Sequence, residues 1–238
     1  MKSIGSISLL HIIFLTMTFI GLKNHVTIIP SLINGAGRDA WISVLVAILL
    51  IIPWLLLPFF TLKKIKDESV RQYLLKRYPR FGKALIYVTV FYLILMAALT
   101  MHETLQWVST TFLINTPFLL LFFFFTFVCF LLATSSILTI TMVNVIVLFV
   151  VVVLGFFVAF VNIQVKDYSL LRPFLEHGFS PVFKSMLYPA SGFVEIYLLL
   201  FIQHHFKTKL KYSHLLLMLF FLLGLTMGPL MGAIAEFG

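Results

Sequence analysis

The apolar positions of this chain gather into long blocks separated by short polar or turn-forming clusters. A helix needs about 20 apolar residues to cross ~30 Å of hydrocarbon. That requirement predicts seven membrane helices, at roughly 6–29, 40–62, 84–112, 117–134, 138–161, 187–206 and 213–235. Thr134-Ser135-Ser136 divides segments four and five, which together would far exceed one span. Two segments carry interruptions: Gly21-Leu22-Lys23-Asn24-His25 in segment one, and Tyr188-Pro189-Ala190-Ser191-Gly192 ahead of Glu195 in segment six. Lipid offers no partners for backbone groups, so a membrane helix keeps its hydrogen bonds internal. Breaks five segments apart therefore predict an inverted repeat of the transporter type, in which unwound backbone makes a substrate site.

Composition and charge sharpen this picture. Apolar residues are 61% and charged residues 11% of 238 positions, with a mean hydropathy of +1.11. Soluble domains sit nearer ~45–50% and ~25%. The class is an all-α integral membrane protein forming one transmembrane domain over 1–238. The net charge of +9 does not indicate nucleic acid, because the cations sit in loops between apolar blocks. The loop after segment two holds Lys63, Lys64, Lys66, Arg71, Lys76, Arg77, Arg80 and Lys83 against Asp67 and Glu68. The loop after segment six adds Lys207, Lys209 and Lys211, while the opposite loops nearly cancel. Positive loops stay inside, which predicts a cytoplasmic N-terminus beside Lys2 and an outer C-terminus. The first segment reads as a retained membrane helix rather than a removable signal. Residues from Asp67 to Lys76 suit a short surface helix, and 173–184 an interfacial segment at the outer side.

Ionisable groups at membrane depth ask for an explanation. At 1.5 Å of rise per residue, Gly21 lies roughly 22 Å up segment one and Glu195 about 10 Å below the outer end of segment six. Two readings of the first break follow. Either Gly21 to Asn24 unwind and offer backbone groups to a substrate, or the helix ends near Ile20 and Lys23 and His25 snorkel to the headgroups. Glu195 must pair, face water or hold a proton; it serves either a ligand or a structural hydrogen bond. His11 is expected to bond across a helix interface. Cys129 lies inside an apolar run and suits packing. No nucleophile–base pair, metal-ligand spacing or phosphate loop is visible, so no enzymatic activity, metal or cofactor is expected.

Several motifs resemble those of the spore germination permease family, the B-type subunits of nutrient germinant receptors in endospore-forming bacteria. They are Ile29-Pro30, the run Ala36-Gly37-Arg38-Asp39-Ala40-Trp41-Ile42-Ser43, Thr116-Pro117, Leu170-Leu171-Arg172-Pro173 with Gly178 and Pro181, and Ser191-Gly192-Phe193-Val194-Glu195. The resemblance implies the amino acid–polyamine–organocation superfamily and its LeuT-like inverted-repeat fold. It implies a site for a small nutrient germinant, such as an amino acid, at Gly21, Leu22, Asn24, Ser191, Gly192 and Glu195. It also implies residence in the spore inner membrane, with an A-type membrane subunit and a C-type lipoprotein as partners. The helix-one break departs from the superfamily's small, Gly-rich pattern, being bulky and polar at Leu22-Lys23-Asn24-His25.

Two of the five helices of the second repeat are visible, so the resemblance predicts an incomplete repeat and a chain truncated after helix seven. The leading expectation is a permease-like sensor of a nutrient germinant. The alternatives are a secondary amino acid transporter working by alternating access, or an inactive truncated remnant.

Overall fold

The computed structural model describes residues 7–65 and 68–237. Lys2, Ser6, Lys66, Asp67 and Gly238, used in the reading above, lie outside the described residues. Among the described residues the regular structure is helical, joined by short turns and loops, with one isolated β-bridge, between Ile7 and Phe206. The structure falls into two compact units, one built from the chain before Lys66 and after Ile140, the other from 67–140.

In the first unit, segment one is a continuous helical rod. It runs as α1 (Leu9–Thr16), two π-helical stretches (Met17–Leu22 and Asn24–Ile28) and α2 (Ile29–Ala36). It continues past the expected end near 29, through Pro30, which falls directly after the second π-helical stretch. Gly37 ends it at φ 56°, a conformation that costs glycine little. Segment two follows as α3 (Ala40–Trp54) and α4 (Leu56–Ile65), and α8 (Ile137–Val161) passes from the second unit into the first. Segment six runs as α9 (Phe179–Ser185), α10 (Leu187–Val194), a 3-10 turn (Glu195–Leu198) and α11 (Leu199–Ile202); segment seven is α12 (Tyr212–Phe237). Helix thus begins at Phe179, within the stretch expected to be interfacial.

Segments one and six run antiparallel, because their contacting residue numbers move in opposite directions. At one end the Ile7 amide donates to the His205 carbonyl (2.8 Å) and the Lys207 amide to the Ile7 carbonyl (3.0 Å). Midway, Lys23 pairs with Glu195 and Asn24 lies against Gly192. Further along, Gly35 faces Ser185. At the far end the Asp39 carboxylate accepts from the amides of Leu175 (2.8 Å) and Glu176 (3.0 Å). Segments two and seven complete this layer: α3 packs on α9, α10 and α12, and α12 also packs along the π-helical stretches. Ile12, Ile20, Leu32, Val44, Phe193, Ile196, Leu222 and Ile234 fill the space between them. In lipid such packing is favoured by dispersion and close fit rather than by release of water.

The Asp39 end is a clasp. Leu175 holds φ 57°, which a residue with a Cβ adopts at some cost, and the buried Asp39 carboxylate fixes this turn through its two acceptor bonds. The Trp41 ring meets Phe174 edge-on at 5.6 Å. Nearby, the Asp167 amide donates to the Ala235 carbonyl (2.8 Å), tying the same loop to the end of α12. The hydroxyl and amide of Ser169 hold the Asp167 carboxyl below the usual carboxylate range.

The second unit holds α5 (Val70–Arg77), α6 (Pro79–Thr111) and α7 (Phe118–Ala133). The expected surface helix is α5, capped by Ser69, whose hydroxyl accepts from the Gln72 amide (3.2 Å). It folds tightly onto α6 because a Cβ at Gly82 would stand 2.7 Å from the Leu74 carbonyl oxygen. Most apolar side chains of α6 and α7 are exposed, as suits surfaces meeting acyl chains.

Removal of the clasp acceptor has a defined readout. Asp39→Ala strips two backbone amides of a charged acceptor, each bond worth about 1.5–3 kcal/mol. Hydrogen exchange at Leu175 and Glu176 should quicken at least ~10-fold, the equivalent of about 1.4 kcal/mol. Unchanged exchange at both amides would show that the clasp does not hold the loop.

Candidate functional site

Neither interruption unwinds the chain. At Gly21–Asn24 the helix widens into π turns, and at Glu195 it tightens into a 3-10 turn. Both expectations for segment one, unwinding or a helix end near Ile20, are replaced by a continuous wide helix. The reason is that every backbone group in lipid keeps an internal partner more readily by changing the hydrogen-bond period than by abandoning it. Such π insertions recur at functional sites.

The two irregular stretches meet. Lys23 lies halfway along the rod 9–36. Its ammonium is hydrogen-bonded and ion-paired to Glu195 Oε1, with side-chain exposures of 18% for Lys23 and 3% for Glu195. A lysine read as snorkelling to the membrane surface is therefore the partner that Glu195 required. A carboxylate at this depth demanded a cation, and Lys23 lies at a comparable estimated depth, so the two single-residue signals could have been joined.

Asn24 follows directly. It is fully buried, and neither its Oδ1 nor its Nδ2 has a hydrogen-bond partner among the described residues. Gly192 makes room for it: a Cβ there would lie 2.7 Å from Asn24 Cγ. The structure thus brings Asn24, Gly192 and Glu195 together around Lys23. Gly21 is buried elsewhere, against Leu222 and Leu225 of α12, where a Cβ would stand 2.6 Å from Leu225 Cδ1. Leu22 is half-buried. Ser191 is exposed and its hydroxyl donates to the Tyr188 carbonyl (2.7 Å), within its own helix. His11 also differs from expectation: its Nδ1 bonds to Ser8 and caps α1.

Chemically the cluster offers one carboxylate, one ammonium and one amide with free donor and acceptor capacity. That set recognises small polar or zwitterionic groups. A separate cavity of about 410 Å³ lies at the Asp39 end, lined by Arg38, Glu176, His177, Ile234 and Phe237 among others. The Lys23–Glu195 pair does not line it.

The Asn24–Gly192 contact has a direct test. Gly192→Ala should lower stability by about 1–3 kcal/mol, the usual cost of overpacking. Made in an Asn24→Ala background it should cost far less, giving a large coupling in a thermal-unfolding double-mutant cycle. Additive effects would place the two residues out of contact.

Residues 4–228 match the model of a family described as spore germination protein. The chain is 42% identical over 219 residues to "Spore germination protein XB" of Bacillus anthracis, an alignment that covers 92% of this chain and 61% of that relative. The chain thus spans less than two thirds of the length of the curated relative it matches. No solved structure matches it. With its helices long and apolar enough to cross a membrane and a family match over nearly its whole length, the chain belongs to the spore permease family of spore germination proteins.

Proposed function

We propose that this chain acts as the permease-like, B-type subunit of a nutrient germinant receptor, sensing a small amino acid at the contact of segments one and six. The observation that carries this reading is the Lys23–Glu195 pair, with Glu195 buried and Lys23 half-buried, beside the unpartnered Asn24 amide. Ionisable groups within membrane helices mark ligand or ion pathways, and a buried amide with unused polar atoms is costly unless something else supplies the partner. Asn24, Gly192 and Glu195 form the centre of the proposed site. Gly21, Leu22 and Ser191 support it by shaping the backbone on either side.

In this reading the protein resides in the spore inner membrane with its N-terminus in the cytoplasm, and works with an A-type membrane subunit and a C-type lipoprotein. Binding shifts a conformational equilibrium by its differential affinity for two states, and the partners read that shift. The π and 3-10 turns give both helices a local means of changing register without breaking. They also favour a second reading, transport by alternating access, since irregular helix pairs near the bilayer centre build transporter sites.

Radiolabelled L-alanine added to vesicles containing the purified chain separates these readings. A receptor gives saturable binding without accumulation, lost at least ~10-fold in Glu195→Gln, about 1.4 kcal/mol. A transporter accumulates label inside. Absence of both for a panel of the common amino acids would overturn the amino-acid reading.

A further inference from the structure

We propose that Lys23 is a built-in surrogate ligand: its ammonium holds the carboxylate of Glu195 that the ammonium of an amino acid would bind, so that ligand and lysine compete for one anion. This inference rests on the amino-acid reading above.

The chemistry of the two competitors is the same. A lysine head and an amino acid's α-ammonium each present one positive charge and N–H donors to an acceptor-only carboxylate. Glu195 is almost wholly buried, and charges interact strongly where water is excluded. Two ammonium groups on one buried carboxylate repel, so a ligand's cation binds there by displacing Lys23 rather than by joining it. Exchange of one ammonium for another keeps the Glu195 carboxylate paired throughout, which avoids leaving that buried anion uncompensated in the membrane.

Lys23 also has somewhere to go. Its side chain keeps 18% exposure, and a four-carbon stem lets the ammonium move towards water while the stem stays among apolar groups. The residue sits between two π-helical stretches. A return of either stretch to α period changes the angular position of Lys23 without breaking the helix.

Asn24 supplies the other half of the recognition. Its Nδ2 is a buried donor without a partner, one position along the chain from the lysine, and it suits the ligand's carboxylate. Glu195 and Asn24 thus read the two ends of a zwitterion. A neutral sugar has no group with which to displace Lys23, so the class of ligand is an ammonium-bearing small molecule.

The experiment compares wild type and Lys23→Met in lipid nanodiscs, with L-alanine, n-propylammonium and propionate as probes, by equilibrium binding and thermal unfolding. Lys23→Met should bind n-propylammonium and L-alanine at least ~10-fold more tightly than wild type, and n-propylammonium should raise its unfolding midpoint. Propionate should show no gain. Equal or weaker binding of both ammonium probes by Lys23→Met overturns the inference, and weaker L-alanine binding would make Lys23 a direct ligand contact. A gain for n-propylammonium with no L-alanine binding by either protein keeps the competition and overturns the amino-acid reading. Equal L-alanine binding by both, with no gain for n-propylammonium, does the reverse. Should Lys23→Met fail to fold, Lys23→Arg decides. Its forked guanidinium grips a carboxylate more firmly, so both ammonium probes should bind at least ~10-fold more weakly than to wild type, and unchanged binding contradicts the proposal.

Discussion

The antiparallel union of segments one and six, centred on the Lys23–Glu195 ion pair, organises the first unit of the structure. The buried Glu195 carboxylate needs a cation beside it, since loss of that cation leaves a charge that lipid cannot solvate. Their pairing sets the register of two helices. That register then puts Asn24 against Gly192 and Gly35 against Ser185. It also places Ile7 beside His205–Lys207 and Asp39 beneath the turn at Leu175–Glu176. Segments two and seven pack on the layer so formed.

Much of this architecture was legible in the apolar blocks. Most helix ends fall near the positions that block length predicts, because the need to bury about 20 residues in hydrocarbon leaves little freedom. The exceptions are instructive. Segment one outruns its block to Ala36, since the helix runs on through Pro30 directly after the second π-helical stretch and Gly37 is the true stop. Segment six starts early, at Phe179, in a stretch whose aromatic residues suited the membrane surface equally well.

The site was legible as single residues and hidden as pairs. Glu195 announces a need for a partner, but a one-dimensional pattern does not say which cation meets it. The headgroups remain open to Lys23 in the sequence because lysine has that option everywhere near a helix end. The Asp39–Trp41 motif and the loop around Arg172-Pro173 are likewise two halves of one contact, joined through Phe174, Leu175 and Glu176. Periodicity also cannot tell an unwound break from a change of helical period, since both leave polar residues inside an apolar run. The structure chooses the π and 3-10 forms, which keep backbone bonds closed in lipid.

A charge exchange tests the central pairing most directly. Lys23→Glu and Glu195→Lys each place like charges together in the membrane, while the double variant restores an ion pair with its polarity reversed. Thermal unfolding of the three proteins in nanodiscs should show both single variants strongly destabilised, or failing to accumulate, and the double variant recovering a large part of the loss. Single variants as stable as wild type, or a double variant no better than the two losses combined, would contradict the account.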